Sequence, residues 1–169
     1  SSSVECWGRD DGSSSDYGQV TDTPSGTFTQ VAAGGDHSCG ITSSSSVECW
    51  GRDDGSSSDY GQVTDTPSGS FTQVSAGSTH SCGITSSGSV ECWGDDQYGQ
   101  ISSTPNANFV QVSAGSFHSC GVDNNGDVQC WGVGPSSNNC SFPAYECGQS
   151  TPPDADFVQV SAGGYHSCG

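Results

Sequence analysis

The chain has no leucine, no methionine and no lysine, and Arg9 and Arg52 are its only cations other than histidine, set against 19 carboxylates. Two cations cannot neutralise a run of phosphates, so nucleic acid is excluded as a partner. The formal net charge of −17 also sets the chain against anionic membranes. No stretch approaches the ~18 apolar residues of a membrane span, so membrane insertion is not expected. An initiator methionine and a basic-then-apolar leader are missing, and the chain reads as a mature or processed one. Valine, isoleucine and phenylalanine together supply only 23 of 169 residues. That falls below the ~20 % at which a highly charged chain is read as disordered. Two features oppose a disordered chain: ten cysteines and a sequence that repeats itself.

The phrase Phe-Thr/Val-Gln-Val-Ala/Ser-Ala-Gly-x-x-His-Ser-Cys-Gly begins at Phe28, Phe71, Phe109 and Phe157. A second phrase, Val-Glu/Gln-Cys-Trp-Gly, places its tryptophans at Trp7, Trp50, Trp93 and Trp131. Four repeats account for the chain as a single repeat domain over 1–169: 28–70, 71–108, 109–156, and 157–169 completed by 1–27. Within a repeat the alternation of Phe109 to Ser113, His118 to Val122 and Val128 to Trp131 predicts short strands. Asp123-Asn124-Asn125-Gly126-Asp127 and its counterparts are turn formers. Tyr98 to Ile101, with Tyr60 to Val63 and Tyr17 to Val20, predicts a fourth short strand. Three or four antiparallel strands per ~40 residues is the content of a propeller blade. One blade cannot bury both faces alone, whereas a row of blades can. Small residues such as Ser113-Ala114-Gly115 suit the crowded axis, and Trp, Phe and Val suit the gaps between blades.

The order Val-Ser-Ala-Gly-x-x-His-Ser-Cys-Gly, a turn, Val-Glu-Cys-Trp-Gly and then Tyr-Gly-Gln resembles the repeat of the regulator-of-chromosome-condensation family in its Cys-rich bacterial-type form. The resemblance covers essentially the whole chain and implies a β-propeller. Family propellers are commonly seven-bladed, whereas this chain supplies four repeats. The family's usual Leu after Gly-Gln is here Val20, Val63 or Ile101. Its founding activities, chromatin binding and nucleotide exchange on a small GTPase, do not follow from the repeat, and chromatin binding conflicts with the charge.

Cysteine spacing is the sharpest local signal. Cys39 and Cys49, Cys82 and Cys92, and Cys120 and Cys130 each lie ten positions apart with the turn at the midpoint. That register sets each cysteine opposite its partner, where Cα atoms of a non-hydrogen-bonded pair are about 4.5 Å apart and a disulfide fits. Each bridge adds roughly 3 kcal/mol on a chain-entropy estimate. Cys140 and Cys147 staple the long insertion 133–156. Cys6 and Cys168 remain, and their bond closes the propeller by pairing N- and C-terminal strands, within one chain or between chains. Ten paired cysteines point to an oxidising compartment and a secreted, extracellular or cell-surface protein.

Metal binding is the competing use of these residues. His37-x-Cys39, His80-x-Cys82, His118-x-Cys120 and His166-x-Cys168 place His and Cys on one strand face, a ligand set suited to Zn²⁺ or Fe. The plainer reading has each histidine bonded to the scaffold. Asp10, Asp11, Asp53, Asp54, Asp95 and Asp96 supply hard oxygen ligands for Ca²⁺, against the plainer reading of a solvated acidic surface. Asn139-Cys140-Ser141 fits an N-glycosylation acceptor. Catalysis finds no support: no Gly-x-Ser-x-Gly elbow or His-Glu-x-x-His run is present, and the histidines recur once per repeat as scaffold residues do.

The expectation is therefore an all-β propeller of four short antiparallel blades with disulfide-stapled hairpins, carrying no cofactor unless Ca²⁺, and not an enzyme. Its role is that of an extracellular structural or interaction protein that self-associates into a filament or surface layer. The near-identity of Val4 to Gly26 and Val47 to Gly69 suits such multivalent contacts. The alternative is a carbohydrate-binding propeller or adhesin that uses exposed Trp, Tyr17, Tyr60 and Tyr98 on glycans or other extracellular proteins.

Overall fold

The computed structural model describes residues 3–133 and 148–169. Cys140, Cys147 and Asn139 lie outside the described residues, so the insertion bridge and the glycosylation site are not placed. Every regular element among the described residues is a strand. The first blade is β1 (Phe28–Ala33), β2 (His37–Thr42) and β3 (Val47–Gly51). The second is β4 (Phe71–Ala76), β5 (His80–Thr85) and β6 (Val90–Gly94). The third is β7 (Gln111–Ala114), β8 (His118–Val122) and β9 (Val128–Gly132). The fourth repeat contributes two short strands, β10 (Ser161–Ala162) and β11 (Ser167–Cys168). Each sheet is antiparallel with its strands in chain order.

The hairpin register follows the cysteine spacing. Cys39 faces Cys49, Cys82 faces Cys92 and Cys120 faces Cys130. All three pairs are disulfide-bonded, with Cα atoms 4.0 to 4.1 Å apart. Ile41 faces Val47, Ile84 faces Val90 and Val122 faces Val128, as the turn midpoint requires.

Two local features depart from the simple alternation. A bulge separates Phe28 from Gln30 in β1 and Phe71 from Gln73 in β4. The extra residue re-aims the side chains, so Phe71 and Val74 pack together although they are three positions apart. The expected fourth strand is absent: Tyr17 to Val20, Tyr60 to Val63 and Tyr98 to Ile101 form turns. The reason is a glutamine that folds back on its own backbone. Gln19, Gln62 and Gln100 each accept a hydrogen bond from the amide of the tyrosine two residues earlier, at 2.7 Å. This local bond offers the backbone an alternative to a sheet ladder.

The apolar core lies between blades. Cys39, Ile41 and Val47 of the first blade pack on Phe71, Val74 and Trp93 of the second. Cys82 and Ile84 pack likewise on Phe109, Val112 and Trp131, and Cys120 and Val122 on Val160. Backbones of successive blades touch near the axis. The amides of Gly35, Ser78 and Ser116 donate to the carbonyls of Gly77, Gly115 and Gly163. A Cβ on Gly77 would overlap the carbonyl oxygen of Gly115, so glycine is required there.

One hairpin turn carries a strained residue. Ser45 has φ of 69° where the other two turns hold Gly88 at 92° and Gly126 at 95°. A side chain in this left-handed region costs roughly 1–2 kcal/mol. Ser45→Gly is expected to raise unfolding stability by about 1 kcal/mol, after the greater freedom of glycine in the unfolded chain is set against the relief. Denaturant titration at fixed pH checks this, and a lowered midpoint would contradict it.

Candidate functional site

The junctions between blades are closed by a common set of polar contacts, the glutamine, histidine and tryptophan of which recur in every repeat while the serine is Ala32 in the first. Gln30 bonds both backbone groups of Val74: its Oε1 accepts from the amide at 2.9 Å, and its Nε2 donates to the carbonyl at 3.1 Å. Gln73 grips Val112 in the same way, and Gln111 grips Val160. Ser75 and Ser113 accept from the amides of Ala114 and Ala162. Each buried tryptophan reaches back one repeat, where Trp50, Trp93 and Trp131 donate to the carbonyls of Gln19, Gln62 and Gln100.

The histidines complete the junction. His37, His80 and His118 are buried, and their Nε2 atoms lie 2.7 to 2.8 Å from the hydroxyls of Ser81, Ser119 and Ser167 of the following blade. Those hydroxyls also lie 3.4 to 3.5 Å from the sulfurs of Cys39, Cys82 and Cys120. A disulfide sulfur carries no proton, so Ser81 and Ser119 donate to theirs, Ser167 donates to the carbonyl of Gln149 at 3.1 Å, and each histidine donates to its serine. This assigns the neutral Nε2–H tautomer and leaves Nδ1 as a bare acceptor with no partner in all three rings. Burial holds His37 down at about 4, with Asp36 opposing the shift. Burial lowers His118 to about 4, helped by repulsion from His166. For His80 burial, then repulsion from His37 and His118, lowers it to about 3.

The sequence-stated metal ligands do not converge. The hairpin cysteines are spent in disulfides and the buried histidines on serines. Among the described residues no group of three or more His, Cys, Asp or Glu side chains is placed to hold a metal ion. The acidic residues tie turns instead. Asp11 and Asp54 accept from the amides of Ser13 and Ser56, and the hydrogen bonds of those serines hold both carboxyls below the usual range. Asp95 accepts from Gln97 and Thr79, and Asp96 from the amides of Ile101 and Ser102. Burial pulls Asp96 upward, but its bonds from Ser102 and Ile101 prevail and lower it. Asp10 and Asp53 stay at the exposed surface.

Tryptophan exposure also differs from the carbohydrate-binding expectation. Trp50, Trp93 and Trp131 are buried at junctions, and only Trp7 is open, at 88 % exposure. Tyr17 is half-buried beneath the Arg52 guanidinium, which sits 4.1 Å from its ring centre. Arg52 itself is fixed to Asp36 at 2.9 Å.

Among the described residues a cleft lies at each end of the blade row. On the first blade Val31 is 53 % exposed, whereas its counterparts Val74, Val112 and Val160 are 1 to 4 % exposed. A cleft over this face is lined by Val4, Cys6, Trp7, Val31, Ser38 and Trp50. At the opposite end a cleft of about 220 Å³ is lined by Val128, Cys130, Gln149, Phe157, Val160 and Cys168, among others. Cys6 is half-buried, Cys168 is exposed, and neither is disulfide-bonded in this structure. No ladder joins 4–8 to β11 among the described pairings. The roles of Gln30, Gln73 and Gln111 and of Ser81, Ser119 and Ser167 were not drawn from the sequence. Their recurrence in every repeat was the available signal.

The histidine rungs make stability acid-sensitive. Unfolded histidines protonate near 6.5 and these three only near 3 to 4. Their contribution is therefore complete above about pH 6.5 and is lost as pH falls toward 4 and below. Near pH 5 unfolding should take up about three protons, read from the slope of unfolding free energy against pH. His80→Gln, which keeps a donor for Ser119, should remove about one of them. An unchanged slope would contradict the assignment.

No curated protein matches this chain. Among solved structures, the CRINKLY WD40 ectodomain of the receptor kinase ACR4 from Arabidopsis thaliana is 26 % identical with a TM-score of 0.66, covering 89 % of this chain and 47 % of that one. The entire ectodomain of the receptor kinase CR4 from Physcomitrella patens is 26 % identical with a TM-score of 0.68, covering 89 % and 39 %. Prp20p from Saccharomyces cerevisiae shares the fold at 20 % identity and a TM-score of 0.59, covering 83 % and 42 %. The chain thus spans less than half the length of the structures it resembles. The family description "regulator of chromosome condensation (RCC1) repeat" matches residues 28–62, 71–100 and 109–141. The blades, their stapled hairpins and these three matches together show that the chain belongs to the RCC1 repeat family.

Proposed function

We propose that the chain is a non-catalytic extracellular interaction scaffold: a disulfide-stapled row of propeller blades that presents and joins surfaces, including those of other copies of itself. The observation that carries this reading is the burial of one cystine sulfur in every complete blade, with Cys39, Cys82 and Cys120 fully buried. Such bridges persist in oxidising compartments. Likeness to two receptor-kinase ectodomains supports the same location. The side chains that most often do chemistry support the non-catalytic part, because three of the four histidines are consumed in bonds between blades. Among the described residues no helix is long and apolar enough to cross a membrane.

Alkylation of native, unreduced protein tests this reading. Cys39, Cys49, Cys82, Cys92, Cys120 and Cys130 should all remain unlabelled by mass spectrometry, and labelling of these six would sink an extracellular scaffold built on them. A glycan array tests the partner class. Silence is expected, since three of the four tryptophans are buried, whereas specific sugar binding would replace this reading with a lectin.

A further inference from the structure

The hairpin cystine of the first blade has an inner and an outer sulfur. Cys39 stands on the middle strand β2 and is fully buried, whereas Cys49 stands on the outer strand β3 and is partly buried. Thiol–disulfide exchange proceeds by attack of a thiolate on one sulfur, from the side away from the other, and access decides which sulfur is attacked. Approach to Cys39 is blocked by the fold. β1 pairs with β2 on its far side, and Phe71, Val74 and Trp93 of the next blade pack over it. Among the described pairings β3 pairs with β2 alone, so the far side of Cys49 lies at the edge of the sheet.

That side opens onto a cleft of about 660 Å³ bordered by residues of 13–22 and 49–63. Asp16, Asp22, Asp53 and Asp54 line the same space as Cys49. No lysine, arginine or histidine lines it among the described residues. Arg52, the nearest in sequence, is held over the Tyr17 ring and bonded to the Asp36 carboxylate. A cleft lined by one sign of charge concentrates the opposite sign. An anionic thiolate is therefore repelled from Cys49 unless the same molecule carries a positive group.

The sulfur that must leave is prepared to bear charge. Ser81 of the second blade donates to Cys39 Sγ at 3.5 Å, and His37 Nε2 donates to Ser81 at 2.7 Å. Hydrogen bonds to an ionised acceptor are roughly twice as strong as those between neutral groups. The series thus strengthens as a Cys39 thiolate forms.

We propose that the Cys39–Cys49 bridge is a thiol-exchange site that takes up a small cationic aminothiol on Cys49. The aminothiol's thiolate attacks Cys49 Sγ while its ammonium group faces the carboxylates of the cleft. The bond between Cys39 and Cys49 breaks, a disulfide forms between Cys49 and the aminothiol, and the electron pair passes to Cys39 Sγ beneath Ser81. The proton that the aminothiol lost on ionising returns through solvent to Cys39, so one thiol and one disulfide stand on each side of the step. The reverse attack by Cys39 on Cys49 expels the aminothiol and restores the bridge. This goes beyond the scaffold reading by giving its first junction a thiol-dependent state.

The test incubates the 169-residue chain with cysteamine as the cationic probe, 2-mercaptoethanol as the neutral one and 3-mercaptopropionate as the anionic one. Acid quenching and peptide mapping follow, and each rate is divided by that of the same thiol on a small neutral disulfide. The adduct should sit on Cys49, with a free thiol on Cys39. Cysteamine should react roughly tenfold faster than 2-mercaptoethanol at low ionic strength, 3-mercaptopropionate should be slower still, and molar salt should erase these differences. Asp53→Asn, at an exposed residue, should cut the cysteamine advantage roughly twofold and leave the 2-mercaptoethanol rate unchanged. Ser81→Ala should slow all three thiols alike, by roughly tenfold. Ser81 is buried, and Asp53→Asn carries the test if that variant does not fold. An adduct on Cys39, equal corrected rates for the three thiols, an undiminished advantage in Asp53→Asn, or a bridge that yields no adduct before the chain unfolds would each overturn the proposal. Each of those results leaves the scaffold reading standing, whereas hairpin thiols already free before any thiol is added would remove that reading itself.

Discussion

In the first and second blades a cystine faces the Phe, Val and Trp of the blade that follows, in the third it faces Val160, and the rest of the structure depends on that contact. The cysteine of the central strand is fully buried in all three blades. Its bridge to the outer strand ties the hairpin at the point where that hairpin meets its neighbour. A chain without leucine or methionine cannot fill such gaps with long aliphatic groups. Sulfur, which packs as an apolar atom, takes part of that volume while also restricting the unfolded chain.

Around this contact the junction is polar, which is why the composition misleads. Glutamine side chains act as short lengths of β-ladder, satisfying both backbone groups of a valine in the next blade. Histidine, serine and cystine form a buried series in which each polar hydrogen has an acceptor. Buried polar groups cost little when paired and much when stranded. Few apolar residues suffice because each recurs at the same junction.

Much of this was legible in the residues. The ten-residue cysteine spacing, centred on turn formers, fixes the register to the residue, and Ile84 opposite Val90 follows from it. The repeat itself required the blade row. The bulge at Phe71/Gln73 was not legible, because the run Phe-Thr-Gln-Val reads as plain alternation. The Tyr-Gly-Gln segments have the apolar and β-branched look of strands, yet a glutamine bonding two residues back turns them. Polar partners four tens of residues apart, such as His37 and Ser81, become neighbours only once the blades are stacked. The aspartates drew attention as ligands because the sequence shows their density but not the amides they serve.

The junctions follow from the same physics, and what each one needs is visible three times over. That logic stands only if the cystines carry the fold. Far-ultraviolet circular dichroism of the chain before and after complete reduction, with the thiols then blocked, tests this most directly. The account predicts loss of the β-sheet signal on reduction at neutral pH. A reduced and blocked chain that keeps its β-sheet spectrum would contradict it.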